Sequence, residues 1–159
     1  MKPLSIEHTN AYASDKISIL HKRKKGLLES QTLSNLLNMD FYLFKAKSIL
    51  IASELINRLL DVSISLSEEK LYADFLKDLV IFVASQTCGG HKSTASGVDL
   101  EFENKGTHYI VSVKAGPNWG KSSQQSKLAE DLQKAVRRVK QSQHGKNVQP
   151  VLGICYGKT

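Results

Sequence analysis

The chain has 159 residues, of which 41% are hydrophobic and 23% are charged, and its formal net charge is +7. Length and composition are those of one globular domain, and the charge suits a polyanionic partner, although a merely basic soluble protein fits equally well. The sequence has no membrane-length apolar run, no signal-peptide pattern and no CxxC pair from Cys88 and Cys155, so we expect a cytoplasmic protein without a membrane span or disulfide framework.

The N-terminal half is predicted to be helical. Residues 1–14 are polar and are expected to be loosely held. A helix is predicted from Asp15 to Leu28 with Ser14 as its N-cap, and a second helix from Asp40 to Leu60. The first helix carries the basic run His21–Lys25, which either contacts DNA phosphates or forms a solvated helix face.

A third helix is predicted after a connector at Asp61–Leu66. It begins with Ser67 as N-cap, runs to Ser85, and has an apolar stripe formed by Leu71, Phe75, Leu79 and Phe82. Asp78 falls inside this stripe, whereas Lys77 points away from it. A carboxylate on an apolar face is costly to bury unless it is paired or bound to a metal, so Asp78 either faces a functional site or forms a structural salt bridge.

A β-hairpin is predicted after a Gly- and Ser-rich loop at residues 86–96. Asp99–Glu103 alternates acidic and apolar side chains, and His108–Lys114 is rich in β-branched residues. The turn at Asn104–Thr107 contains Gly106, which can adopt a positive φ. The alternation predicts one acidic face and one apolar face on the first strand.

The hairpin brings an acid and a lysine together. If it closes around Lys105–Gly106, Asp99 lies opposite Ser112, and Lys114 lies one step beyond on the same face. A carboxylate can bind Mg²⁺, and a nearby lysine can orient the attacking water and stabilise charge on a phosphate. The same pattern also fits a half-buried hairpin with a solvated polar face.

A loop, a helix and a strand are predicted after the hairpin. In the loop Ala115–Gly120, Trp119 is expected to be a packing anchor, with base or sugar stacking as the alternative. The helix Ser123–Gln141 has an inward stripe comprising Leu128, Leu132, Ala135, Val136 and Val139. The apolar strand Val148–Tyr156 is expected to return parallel to the second hairpin strand.

Two sequence blocks carry a resemblance to a known group of proteins. Gly97-Val98-Asp99, a turn and Ser112-Val113-Lys114 together resemble the PD-(D/E)XK nuclease superfamily. The longer block, GVDLEF followed by YIVSVKAGPNWGKSSQ, is similar to type II restriction endonuclease-like proteins. Weaker similarity extends from Leu66 to Lys158. The resemblance implies that related sequences continue with another aromatic-rich segment, so we expect a truncated domain, a shortened homologue or a fragment.

The resemblance implies both a fold and an activity. The fold is α/β, with a restriction endonuclease-like core in which helices flank a small mixed β-sheet. We expect a single domain over residues 1–159, with a helical part at 1–62 and a nuclease core at 63–159. The implied activity is Mg²⁺- or Mn²⁺-dependent hydrolysis of double-stranded DNA by a homodimer.

The resemblance also implies roles for individual residues. Asp99 would bind the metal, and Lys114 would position the water or stabilise the phosphorane. Ser112 stands where the superfamily has its second acid, so either another carboxylate fills the gap or the site is damaged. The candidates for the missing ligand are, in order, Glu101 and Asp78, followed by Glu130 or Asp131 of the next helix.

A DNA-contacting surface is expected along the helix that follows the hairpin. Its amides, hydroxyls and basic side chains could hold phosphates, or they could form an ordinary capped and solvated face. The candidate residues are Lys121, Ser122, Ser123, Gln124, Lys127, Arg137 and Arg138. Two other functions stay open: a non-catalytic DNA-binding module with the same fold, and a structural protein–protein domain.

Overall fold

A computed structural model describes residues 2–32, 34–35, 49, 51–142 and 147–157 of the chain. The helices are α1 (Ile6–Glu29), α2 (Ala52–Cys88) and α3 (Ser122–Ser142). The strands are β1 (His91–Lys92), β2 (Leu100–Asn104), β3 (Thr107–Lys114) and β4 (Asn147–Ile154). This mixture of helices and one sheet confirms the predicted α/β fold with a helical N-terminal half.

Helix α1 begins earlier than predicted. Ser5 caps it, because its hydroxyl accepts a hydrogen bond from the backbone N–H of His8 at 3.3 Å. The expectation of a loose segment at residues 1–14 with Ser14 as the cap was therefore wrong. The ring of Tyr12 stacks on Phe82 of α2, with 4.0 Å between the ring centroids.

Helix α2 is continuous where a connector was predicted. At the predicted break, the Ser65 hydroxyl donates to the Asp61 carbonyl at 2.9 Å, and the Ser67 hydroxyl donates to the Ser63 carbonyl at 2.8 Å. The serines therefore bond back to the preceding turn instead of capping a new helix. Residues 40–48 and 50 of the helix predicted at Asp40–Leu60 lie outside the described residues, and its last nine positions belong to α2.

The four strands form one mixed sheet in the order β1-β2-β3-β4. Strand β2 pairs antiparallel with β3, and Leu100 faces Val111. The turn adopts positive φ at both central residues, 48° at Lys105 and 76° at Gly106, which suits a tight hairpin. Strand β4 pairs parallel with β3, as predicted. The short strand β1, which extends the sheet beyond β2, was not predicted.

The sheet separates two hydrophobic clusters. On one face Ile110 and Val148 pack with Leu128, Leu132 and Ala135 of α3, and Trp119 packs against this cluster. On the other face Leu100, Val111 and Val113 pack with Ala84 of α2. The predicted inward stripe of α3 and the predicted faces of the hairpin strands are confirmed, because adjacent strand residues point to opposite faces.

The chain divides into two compact units. One contains residues 1–14 and 73–159 and holds the whole sheet, and the other contains residues 15–72. In the second unit Leu59 is completely buried, and Lys24 of the predicted basic run forms an ion pair with Glu68. Among the helices that the structure describes, none is long and apolar enough to cross a membrane.

Candidate functional site

Strand pairing fixes Asp99 at the end of the hairpin opposite the turn. Its backbone N–H donates to the Val111 carbonyl at 2.8 Å, and the residue after it, Leu100, pairs with Val111. This register puts Asp99 next to Ser112, as the alternation predicts. The segment before Asp99 is held against α3, since the Cβ of Asp131 lies 2.7 Å from the point where a Cβ on Gly97 would stand.

Both oxygens of the Asp99 carboxylate have partners. Oδ2 accepts hydrogen bonds from the Val113 backbone N–H at 2.7 Å and from the Ser112 hydroxyl at 3.4 Å. Oδ1 lies 3.0 Å from the Nζ of Lys77, which α2 supplies. Ser112 is only 1% exposed, so it acts as a buried donor to the acid. A neutral hydroxyl at this position cannot supply the charge of a second carboxylate ligand.

Lys114 lies in an unusual electrostatic environment. Its ammonium sits over the Trp119 ring, 4.9 Å from the centroid, within the range of a cation–π contact. Burial lowers the pKa of Lys114 below its ordinary value, the charge of Lys77 lowers this pKa further, and the Asp99 carboxylate acts in the opposite direction. Lys77, Asp99 and Lys114 therefore form a cluster with two ammonium groups and one carboxylate.

Glu101 points to a different set of partners on the same sheet face. One carboxylate oxygen accepts a hydrogen bond from the Ser93 hydroxyl, and the other lies 2.9 Å from His108 Nε2. Burial alone would raise the pKa of Glu101, but these two hydrogen bonds and the nearby charges of His108 and His91 hold it below 4.5. Glu101 is thus an ionised, anchored side chain.

His108 is the buried centre of this second cluster, and its importance was not predicted. It is 6% exposed, and its Nδ1 lies 3.5 Å from Glu103 Oε1. Nδ1 has no hydrogen-bond partner among the described residues. The signal in the sequence was the hairpin register, which pairs Glu103 with His108.

The other acids proposed as metal ligands have mixed surroundings. Asp78 is half-buried on α2, and its backbone carbonyl accepts a hydrogen bond from the Tyr12 hydroxyl at 3.4 Å. Asp131 lies 3.8 Å from Lys134, and Glu130 lies 3.9 Å from the same lysine. Within the described ranges, no three histidine, cysteine or acidic side chains form a group that could hold a metal ion.

The Asp99 carboxylate is an oxygen ligand of the kind that a hard divalent cation binds. Mg²⁺ commonly keeps several waters and takes one or two protein carboxylates together with substrate phosphates. Asp99 is fixed by Val113, and its side chain is 22% exposed, so one carboxylate is accessible at this place. Substrate phosphate and water would have to complete the coordination.

Lys77 is the site residue that sequence reasoning missed. It was predicted to point away from the stripe that contains Phe75 and Phe82. The helix packs on the sheet through Val80, Ile81 and Ala84 instead, and Lys77, on that same side, reaches Asp99. The available signal was a single lysine within the otherwise apolar and acidic run Phe75–Val83 of α2. Periodicity places Lys77 on the same side of α2 as Val80, Ile81 and Ala84, but it cannot indicate which distant acid the lysine meets.

The expected DNA-contacting residues lie on and just before α3. Lys121 to Lys127 are exposed, as are Arg137 and Arg138. The Gln124 side-chain oxygen accepts a hydrogen bond from the Lys121 backbone N–H at 2.9 Å, which organises the first turn. The helix packs on the sheet face that carries Ile110 and Ser112, and its polar side is exposed.

A mixed sheet between helices, with Asp99 at the end of its hairpin paired with Lys77, fits a restriction endonuclease-like protein. The family model described as "Type II restriction endonuclease EcoO109I" matches residues 7–159, and the chain belongs to this family. None of the curated proteins matches the sequence. Family membership supports a DNA-acting nuclease of the restriction–modification kind.

Proposed function

We propose that the protein is a divalent-metal-dependent endonuclease that hydrolyses phosphodiester bonds in double-stranded DNA. The single observation that carries this proposal is that the Asp99 carboxylate is bonded both to the backbone of β3 and to Lys77. The acid is bonded to the Val113 N–H at 2.7 Å, directly before Lys114, whose pKa is lowered by burial and by Lys77. An anchored carboxylate next to a lysine with a perturbed pKa is typical of a reaction centre.

Each residue would have a distinct role. Asp99 would hold a Mg²⁺ or Mn²⁺ ion, which when bound supplies Lewis-acid activation of the phosphate and acidifies a water. Lys114 would orient the attacking water and stabilise charge on the phosphate oxygens. Ser112 would keep Asp99 in place through its buried hydroxyl. Glu101 stays the first candidate for the missing second ligand, and Asp78 stays the second.

Contacts on α3 would position the duplex. The exposed Lys121–Lys127 segment and Arg137 and Arg138 would bind phosphates and so give a salt-dependent affinity. We further propose that the protein works in the cytoplasm as a homodimer, because a two-fold symmetric enzyme matches a palindromic site. Light scattering of the protein, with and without a duplex, tests the dimer.

The test of the activity is plasmid cleavage with Mg²⁺ or Mn²⁺, comparing Asp99→Asn and Lys114→Met with the unmodified protein. A matched control is Lys105→Asn, which removes one positive charge at the opposite end of the same hairpin, and asparagine tolerates the φ of 48° there. We expect cleavage by the unmodified protein and by the control, and none by the other two. Equal cleavage by all four proteins would rule out this assignment of the site.

A specific observation supports a second candidate, the DNA-binding module without catalysis. Ser112 supplies no second charge, and Lys77 already neutralises Asp99. This candidate predicts salt-dependent DNA binding with no cutting under any divalent metal. Fluorescence anisotropy and plasmid cleavage on the same preparation separate the two functions.

A further inference from the structure

Lys77 and a metal ion would need the same oxygen of Asp99. The other oxygen, Oδ2, is occupied by Val113 N–H and by the Ser112 hydroxyl. Oδ1 faces the ammonium of Lys77 at 3.0 Å. An ammonium and a divalent cation are both attracted to the lone pairs of this oxygen, and they repel each other. Binding of the cation at Oδ1 therefore requires the Lys77 ammonium to move away.

The charge balance makes that displacement unfavourable in the free protein. A divalent ion at Asp99 would raise the cluster to three cationic groups around one carboxylate. The side chain of Lys77 is 32% exposed, so water screens its charge only in part. That charge already lowers the pKa of Lys114, because the two ammonium groups repel each other. The Lys77 ammonium needs a new anionic partner before the attraction of the cation to Asp99 exceeds its repulsion by the two lysines.

A DNA phosphate is such a partner. It brings negative charge and several acceptor oxygens to the place where the two lysines lie. With Lys77 on the phosphate, Asp99 Oδ1 would be available to hold a divalent cation, and phosphate oxygens could serve as further ligands. The duplex would thereby both free the protein ligand and supply the missing ones.

We propose that Lys77 is a positioning residue that occupies Asp99 Oδ1 in the free protein and transfers to a DNA phosphate when the duplex binds. The site then takes up a divalent cation together with DNA and hardly at all before it. This inference rests on the proposed function, because it uses Asp99 as the metal ligand. By linkage, removal of Lys77 must strengthen metal binding in the free protein.

The first experiment measures Mn²⁺ binding to DNA-free protein by electron paramagnetic resonance. Lys77→Met is expected to bind Mn²⁺ about tenfold more tightly than the unmodified protein, since an adjacent positive charge has been removed. Lys77→Arg keeps the charge and should bind as weakly as the unmodified protein. Lys105→Asn is the control for the loss of one charge elsewhere and should cause no such gain.

A double variant separates the two ways to fail. If Asp99→Asn removes the Mn²⁺ that Lys77→Met gains, Asp99 is the ligand and Lys77 its competitor. If Lys77→Met gains nothing while Asp99→Asn still weakens Mn²⁺ binding, the Lys77 inference is wrong and the proposed metal ligand stands. If Lys77→Met gains nothing and Asp99→Asn leaves Mn²⁺ binding unchanged even with a duplex present, the metal role of Asp99 is wrong as well.

The second experiment tests the transfer to phosphate without any metal or catalysis. Binding of a fluorescent duplex is measured in a chelator over a range of salt concentrations. Lys77→Met should weaken binding and reduce the slope of log K against log salt by about 0.9, the value for one phosphate contact. Lys77→Arg should preserve the slope, and an unchanged slope in Lys77→Met would contradict the transfer.

Discussion

The Oδ2 atom of Asp99 accepts a hydrogen bond from the backbone N–H of Val113 at 2.7 Å. Val113 directly precedes Lys114 on β3, so the acid is attached to the strand that carries the lysine. The donor is a main-chain N–H, whose position is set by the strand that carries it. The hairpin therefore fixes the positions of Asp99 and Lys114 on the backbone. Lys77 comes from α2, and we propose that its side chain changes partner.

The first prediction separates the structural from the chemical role of Asp99. Asp99→Asn keeps an oxygen for the Val113 N–H, whereas Asp99→Ala leaves that donor and the Lys77 ammonium without the acceptor. We expect the free energy of unfolding of Asp99→Ala to be about 2 kcal/mol lower than that of Asp99→Asn, because a buried donor without an acceptor is costly, whereas asparagine still supplies an acceptor. Urea unfolding measures this difference, and equal stabilities would contradict the anchoring role.

The second prediction places an acid at the position where serine stands. Ser112 is 1% exposed, and its hydroxyl lies 3.4 Å from Asp99 Oδ2, so Ser112→Asp buries a second carboxylate against the first. We expect a loss of about 2 kcal/mol without metal, since like charges are forced together out of water. Added Mn²⁺ should restore much of the stability by neutralising the pair.

The matched control for this change is Ser112→Asn. Asparagine has nearly the same size as aspartate but no charge. The Ser112→Asn variant should therefore be destabilised, and Mn²⁺ should not restore its stability. Thermal unfolding of both variants, with the ion and with a chelator, gives the comparison. A similar Mn²⁺ response in the two variants would show that the effect does not come from a rebuilt carboxylate pair.

The third prediction concerns pH and Glu101. The folded-state pKa of Glu101 lies below its ordinary 4.5, so its ionised form stabilises the fold above that value. This stabilisation is lost as the pH falls through the folded-state pKa. Glu101→Gln should therefore lower the free energy of unfolding at neutral pH by about 1–2 kcal/mol, and the difference should shrink in acid.

Glu130→Gln is the control for the pH experiment. Glu130 is an exposed acid 3.9 Å from Lys134, and losing such a surface pair should change stability by less than about 0.5 kcal/mol. Urea unfolding across the acidic range measures both variants. If Glu101→Gln stayed equally destabilised at every pH, ionisation of Glu101 would not be the source of its contribution.

The fourth prediction compares two glycines that have the same φ of 76°. A Cβ on Gly106 would meet nothing within 4 Å, whereas a Cβ on Gly97 would come within 2.7 Å of the Asp131 Cβ. Gly106→Ala should cost about 1–2 kcal/mol from the backbone alone. Gly97→Ala should cost about 1–3 kcal/mol more, because α3 must shift away from the segment before Asp99.

Thermal unfolding of the two alanine variants measures that difference directly. Because Gly97 leads into Asp99, Gly97→Ala should also weaken plasmid cleavage, while Gly106→Ala at the far turn should not. If the two variants had equal stabilities, the close approach of α3 to this segment would not be maintained in solution.

The amino-acid sequence by itself determined the elements with strong periodicity. Alternation assigned Tyr109, Val111 and Val113 to one face of β3 and Ile110, Ser112 and Lys114 to the other. The turn chemistry of Lys105 and Gly106 fixed the register, and the apolar stripe of α3 fixed its buried side. These features depend on neighbours in the sequence, so local steric and solvation rules are sufficient to predict them.

Tertiary structure alone decided which distant side chains meet. Local preference suggested a break before Ser67, but the hydroxyls of Ser65 and Ser67 bond within one continuous helix. Lys77 reaches Asp99, and Glu101 is held by Ser93 and His108. Such pairs depend on how separate segments pack, and the free energy of burying charge selects partners that no periodicity encodes.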